Sequence, residues 1–136
     1  MMTPPDGFEL IPPFGPLHES LGPIFARKEG SQYVVGMRVD ARHHNKGAIL
    51  HGGMMAFLID TAFTYACVKR SEKPRPAVTT SMTVDFIGSA KAEDWIEARV
   101  DVLRSGRRVI FLSCCVFSSS LCIARGSATF QVLGDA

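Results

Sequence analysis

One stretch decides the fold of this chain: His51-Gly52-Gly53-Met54-Met55-Ala56-Phe57-Leu58-Ile59-Asp60-Thr61-Ala62-Phe63-Thr64-Tyr65-Ala66-Cys67-Val68. Its single carboxylate is Asp60, and no other charge follows until Lys69 and Arg70. A helix that is apolar on all sides is normally buried in a core rather than lying on a surface. An ionised carboxylate in such a helix is costly unless it is paired or functional, so Asp60 is the first candidate for chemistry.

Length and composition indicate an ordinary soluble domain, expected to span residues 1–136. The chain has 136 residues, of which 46% are hydrophobic and 21% charged, with a net charge of +2. Its basic residues are scattered, so the sequence shows no nucleic-acid footprint. We see neither a signal-peptide pattern nor an apolar run suited to a bilayer, and therefore expect a cytoplasmic protein without nucleic-acid or membrane partners.

The sequence predicts neither a metal nor a cofactor. The four cysteines show no zinc-ribbon or redox spacing, and we interpret them as reduced core thiols; they are Cys67, Cys114, Cys115 and Cys122. The adjacent His43 and His44 are poorly spaced for holding one metal from a single strand, which disfavours a zinc site completed by His51.

The remainder of the chain has the periodicity of strands. Residues 1–30 are a Pro/Gly-rich lead-in, with a helical turn predicted near 17–21 and a short strand at 23–28. Alternation then predicts strands at 33–39, 78–86, 96–102 and 122–132, and a nearly continuous apolar run at 109–117 predicts a central strand buried on both faces. In the segment 78–86, the alternation places Val78, Thr80 and Met82 on one face and Thr79 on the other.

The element order predicts the fold class. One long helix, from 52 to 69 or 70, stands among six strands, and Pro74 and Pro76 prevent its continuation. Short connections favour antiparallel neighbours. We therefore predict an α+β fold in which one curved antiparallel sheet wraps around one long central helix.

Asn45, the triplet His51-Gly52-Gly53 and Asp60, at this spacing on the single helix of such a sheet, resemble the hotdog-fold acyl-CoA thioesterases, and most closely their PaaI-like and THEM2-like group. The resemblance covers about residues 32–132. It includes the segment Thr83-Val84-Asp85-Phe86-Ile87-Gly88-Ser89-Ala90-Lys91, although many members carry an Arg-Pro pair near Gly88-Ser89.

The resemblance implies roles for five residues. The Gly52 amide, at the positive end of the helix, would polarise the thioester carbonyl. Asp60 would be the general base or the nucleophile, which the sequence does not separate. Asn45 would position the carbonyl or the water, Thr79 would hold the water, and His51 would orient the loop and cap the helix.

Four of these five residues also have a purely structural interpretation, whereas for His51 the alternative to capping is proton transfer. Gly52 could serve only to start the helix, and Asp60 could bond to backbone or to a hydroxyl. Asn45 could form a loop turn, and Thr79 is an ordinary strand residue.

Substrate contacts are expected from a further set of residues around an adaptable apolar pocket: Gly53, Met54, Phe57, Thr64 and Phe86. The group Arg104, Arg107 and Arg108 could meet the phosphates of CoA, although a solvated hairpin end is the preferred interpretation. Acyl preference remains open.

The spacing of Gly53 and Asp60 predicts a site shared by two subunits. The two residues face the same way along the helix but stand roughly 10 Å apart along its axis, too far to act on one carbonyl. Two antiparallel helices related by a twofold axis would bring Asp60 of one chain near Gly52 of the other. We expect a homodimer with shared active sites, and the family commonly pairs dimers into tetramers.

The resulting hypothesis is an acyl-CoA thioesterase that hydrolyses acyl-CoA or aryl-CoA to a free acid and CoA without a metal. The alternative is a non-catalytic acyl-CoA-binding hotdog protein, and a weaker one is a remnant of the fold that only assembles. The complete set of Asn45, Gly52 and Asp60 favours the enzyme, because a pure binder needs no buried carboxylate beside the carbonyl.

Overall fold

A computed structural model describes residues 3–134 of the chain. Its elements in chain order are β1 (Glu9–Leu10), α1 (Pro16–Leu21), β2 (Phe25–Glu29), β3 (Gln32–Arg38), α2 (Gly52–Lys69), β4 (Ala77–Phe86), β5 (Trp95–Ser105), β6 (Val109–Ser118) and β7 (Leu121–Val132). A short 3-10 helix (Ala41–His43) precedes α2. Within residues 3–134, no helix is both long and apolar enough to cross a membrane.

The strands form one antiparallel sheet in the order β1-β2-β3-β5-β6-β7-β4. This confirms the predicted α+β architecture of one curved sheet around one long helix. The short strand β1 was not predicted. The expectation that short connections join neighbours is wrong at β4, which is followed in sequence by β5 but pairs with β7. The crossover leaves β4 at an edge of the sheet.

One side of α2 packs against the sheet and forms the core. Leu58, Ile59 and Phe63 are completely buried there, and burying each such side chain stabilises the fold by roughly 1.5–3 kcal/mol. The ring of Phe63 meets that of Phe130 on β7 edge-on, with centroids 6.3 Å apart. Gly126 on β7 allows the close approach, since a Cβ there would lie 3.1 Å from Ile59.

The other side of α2 is not covered by the sheet. Gly53, Phe57, Asp60, Thr64 and Val68 recur at helical spacing and are half-buried or exposed. We call these five residues the open stripe. The expectation that α2 is buried on all sides is therefore wrong for the single chain.

A β-bulge in β4 corrects the predicted alternation of that strand. Thr79 lies opposite Phe130 and Ser81 opposite Thr129, so one extra residue is inserted between these two pairs. As a result Thr79 points towards α2, whereas Val78 is 46% exposed. At the start of β4, the bulge thus places Thr79 on the inner face and Val78 on the outer face, the reverse of what an apolar inner face predicts.

The prediction for β6 is correct in its position and wrong in its burial. β6 lies between β5 and β7, and Ile110 and Leu112 are buried towards α2. Phe111, between them, is 42% exposed on the outer face. In the single chain, the strand formed by this apolar run is therefore buried on only one of its two faces.

The outer face is covered at its other end by aromatic rings. Trp95 packs against Phe8 edge-on, with centroids 5.0 Å apart. A Cβ at Gly36 would clash with the Trp95 indole and lie 3.1 Å from the carbonyl oxygen of Ile96. The indole therefore occupies the space that a side chain at residue 36 would need.

We expect Gly36→Ala to lower the free energy of unfolding by about 1–3 kcal/mol, since the indole must shift against Phe8. Urea denaturation measures the change. Gly15→Ala is the control, because a Cβ at Gly15 meets nothing within 4 Å. Equal stability of Gly36→Ala and the wild type would contradict this packing.

Candidate active site

The loop before α2 is organised by Asn45. Its Oδ1 accepts hydrogen bonds from the backbone N–H groups of Gly47 at 2.8 Å and Ile49 at 3.4 Å. This is the loop-turn interpretation of Asn45. The side-chain NH2 group makes no hydrogen bond within residues 3–134, so it is available to an external acceptor.

His51 caps the start of α2. Its Nδ1 accepts a hydrogen bond from the Gly53 N–H at 2.7 Å. A Cβ at Gly53 would lie 2.9 Å from the imidazole, so this glycine makes room for the cap. A helix begins with amides that have no intrahelical acceptor, and the imidazole satisfies one of them.

The Gly52 N–H has no acceptor in the described part of the chain. The Met54 and Met55 N–H groups both donate to the His51 carbonyl oxygen, at 2.9 and 3.0 Å, and Gly53 donates to the His51 ring. The Gly52 amide therefore remains as a donor at the positive end of the helix dipole. A Cβ at Gly52 would make only an ordinary contact, 3.5 Å from the Phe86 ring.

Asp60 is held from the edge strand. The Thr79 hydroxyl donates to Asp60 Oδ1 at 2.6 Å, a short, charge-assisted bond. The β4 bulge makes this contact possible. A hydroxyl has one hydrogen, so Thr79 orients the carboxylate and keeps only its oxygen lone pairs for a water molecule.

The carboxylate of Asp60 has no cationic partner in the described chain. No Lys, Arg or His nitrogen in residues 3–134 lies within ion-pair distance of it, and its Oδ2 accepts no hydrogen bond there. An anionic oxygen without a compensating cation can act as a base or as a nucleophile.

Asp60 lines a cavity of about 220 Å³ between α2 and the N-terminal lead-in. We call it the Asp60 cavity. Its walls are residues of the lead-in and of the helix: Phe14, Gly15, Pro16, Leu17, His18, Phe57, Asp60, Thr61 and Thr64. The wall formed by the lead-in was not predicted from the sequence. Its only signal there is the pair of rings, Phe14 and His18, among prolines and glycines.

The structure brings some of the predicted residues together and separates others. Phe57, Asp60 and Thr64 line the Asp60 cavity, and Thr79 is bonded to Asp60. Met54 is 6% exposed and packs in the core instead.

The remaining predicted residues gather at the helix start. Gly52, Gly53 and Phe86 lie there with His51, and Asn45 organises the loop that precedes it. Gly52 stands about 12 Å from Asp60 along the helix axis. The candidate carboxylate and the candidate amide of one chain are therefore too far apart to act on one carbonyl group.

Comparisons with known proteins identify the family to which the chain is similar. Residues 47–121 match the family model described as Thioesterase superfamily. A Pseudomonas aeruginosa protein with a provisional name as an esterase is 36% identical over 97% of this chain and 99% of its own length. Mouse acyl-coenzyme A thioesterase 13 is 29% identical over 76% of this chain and 71% of its own. The structure of a mutant of the phenylacetic acid degradation protein PaaI from Thermus thermophilus superposes with a TM-score of 0.77 at 28% identity, covering 88% of this chain and 100% of that one.

The two glycines at the helix start should respond differently to alanine. We expect Gly53→Ala to displace the His51 ring and to lower the free energy of unfolding by roughly 0.5–2 kcal/mol through the lost cap. Gly52→Ala should be neutral or slightly stabilising, because alanine favours a helix and finds space there. Thermal or urea denaturation of both variants gives the comparison, and equal stabilities would argue against the cap.

Proposed function

Since the chain belongs to the thioesterase superfamily and is a thioester hydrolase, as its sequence predicted, we propose that it hydrolyses acyl-CoA or aryl-CoA thioesters at hotdog-fold sites shared by two subunits. The observation that carries the proposal is Asp60, held by Thr79 at 2.6 Å beside a cavity. Relatives named acyl-coenzyme A thioesterase support CoA esters as substrates.

Asp60 supplies the reacting oxygen in either of two routes. As a base, it takes a proton from water, the hydroxide adds to the carbonyl carbon, and the carbon–sulfur bond breaks to release CoA thiolate, which then takes up a proton. As a nucleophile, its oxygen adds to the carbonyl carbon and expels the thiolate, and water then hydrolyses the resulting anhydride. In both routes Thr79 holds Oδ1 and leaves Oδ2 to react.

The oxyanion is stabilised by the Gly52 amide of a second copy of the chain. The two halves of the site in one chain are too far apart to meet on one carbonyl group. One such donor is typically worth about 3 kcal/mol of barrier in other enzymes. We assign to the Asn45 NH2 group, which makes no hydrogen bond within residues 3–134, the role of holding the carbonyl or the water.

The exposed side of β4 supports the pairing of two chains. This edge strand pairs with β7 on one side, and Phe86 and Ile87 at its end are 57% and 58% exposed. An unpaired sheet edge with exposed apolar side chains at its end is a template for a second strand. Pairing about a twofold axis at β4 would bring two open stripes face to face, and pairs of such dimers would make the tetramer.

We expect Asp60→Ala to lower kcat/KM for CoA thioesters by roughly 10²–10⁴-fold, the range of a positioned base. Thr79→Val should lower kcat about 10–100-fold, because a hydrogen bond to a charged group is lost. Thr79→Ser should retain most of the activity. Thr80→Val is the matched control, since the Thr80 hydroxyl bonds to Thr129 on the outer face.

Release of free thiol from acetyl-, hexanoyl-, phenylacetyl- and palmitoyl-CoA provides the readout. If Asp60→Ala is as active as the wild type, the assignment of Asp60 is wrong. If the wild type binds these esters and hydrolyses none, the chain is a CoA-ester-binding protein instead.

Gly52→Pro tests the amide directly. Gly52 is the first residue of α2, where proline is tolerated and removes only an N–H that has no helical partner. The preceding residue, His51, already has the extended φ −65° and ψ 135° that a following proline requires. We expect a fall in kcat of about 10²–10³-fold with little loss of stability, and Gly52→Ala, which keeps the N–H, should fall less.

Mixing the two defects tests whether the site is shared. An Asp60→Ala chain paired with a Gly52→Pro chain has one doubly defective site and one intact site. Unfolding and refolding the two inactive proteins together should therefore restore roughly a quarter of wild-type activity by random pairing. No recovery from a refolded mixture that contains heterodimers would place both groups in one subunit.

A further inference from the structure

We propose that Phe14, in the N-terminal lead-in, sets the size of the acyl group by separating the Asp60 cavity from a second apolar cavity. The proposal rests on the proposed function. It states that the wild type prefers short or single-ring acyl groups, and that removing the Phe14 ring opens the site to long chains.

The second cavity lies further along α2. Its volume is about 480 Å³, and it lies between the start of the lead-in and the last turns of the helix. We call it the distal cavity. Its lining is mostly apolar and includes Leu10, Ile11, Pro13, Tyr65 and Val68, with Glu9 and Lys69 as its charged members.

Phe14 is the residue that the two cavities share. Within the described chain it is the only member of both linings. On the helix, Thr64 lines the Asp60 cavity and the next residue, Tyr65, lines the distal cavity. The two spaces therefore follow each other along one helix, and Phe14 lies where their linings meet.

The position of Phe14 is fixed by its neighbours. Its backbone N–H donates to His18 Nδ1 at 3.0 Å, and the two rings meet edge-on at 5.4 Å. His18 is 4% exposed, and burial lowers its pKa, which favours the neutral ring whose Nδ1 accepts this bond. Proline on both sides, at Pro13 and Pro16, restricts the backbone φ angles of the segment, so the backbone that carries the Phe14 ring, which is itself 44% exposed, has little freedom.

The volumes of the two cavities predict which acyl groups the site prefers. An apolar cavity of about 150 Å³ is known to hold a benzene ring, so the Asp60 cavity of about 220 Å³ accommodates one ring or a short chain. In the direction of the distal cavity, a longer chain passes Phe14. Because the distal cavity is apolar and larger, it offers burial for additional methylene groups once the ring is gone.

The experiment measures kcat/KM for acetyl-, hexanoyl-, phenylacetyl-, decanoyl- and palmitoyl-CoA with the wild type and Phe14→Ala. We expect Phe14→Ala to raise the ratio of decanoyl-CoA to phenylacetyl-CoA at least 10-fold, as a few buried methylenes allow. Leu17→Ala is the matched control: Leu17 belongs to the same segment and lines only the Asp60 cavity, so its loss should not extend the accepted chain.

A second substitution tests whether the gain comes from the distal cavity. Val68→Phe, added to Phe14→Ala, places a phenyl ring at the helix wall of the distal cavity and should remove the gain for decanoyl-CoA. An unchanged chain-length profile in Phe14→Ala, or a gain that survives Val68→Phe, would overturn the proposal while leaving the thioesterase intact. A wild type that hydrolyses none of the five esters would instead overturn the proposed function.

Discussion

A single curved sheet can cover only one side of an apolar helix of 18 residues, and the site follows from that constraint. The covered side of α2 supplies the core. The other side, the open stripe, remains available for substrate and for a second chain. Asp60 lies in the middle of this stripe, where the sheet does not cover it, and the Thr79 hydroxyl reaches it from the edge strand at 2.6 Å. The carboxylate thus keeps one oxygen free for chemistry.

The start of α2 shows how a helix terminus is divided between structure and chemistry. The His51 imidazole accepts a hydrogen bond from the Gly53 amide, and the His51 carbonyl oxygen accepts from the amides of Met54 and Met55. These bonds secure the helix and leave the Gly52 amide without an acceptor in the described chain. A donor that no neighbour uses, at the positive end of a dipole, is the arrangement that a developing oxyanion requires.

The lead-in adds a third component that neither the sheet nor the helix provides. Its residues line the Asp60 cavity, and the backbone of Phe14 is hydrogen-bonded to His18 between two prolines. In the proposed enzyme, the central helix and the edge strand hold the groups that act on the thioester. The lead-in would then limit the space for the acyl group beside them.

The sequence by itself determined the helix at 52–69, its place among strands, and Asp60, Gly52 and His51 as candidates. Periodicity and a lone carboxylate in an apolar helix are local properties, which a sequence displays directly. Only the tertiary structure decided that β4 lies beside β7, that a bulge turns Thr79 towards Asp60, and that Phe14 borders the cavity. Strand order, register and the packing of an irregular segment depend on contacts between distant residues. Alternation within one strand predicts a face but does not reveal the extra residue that exchanges it.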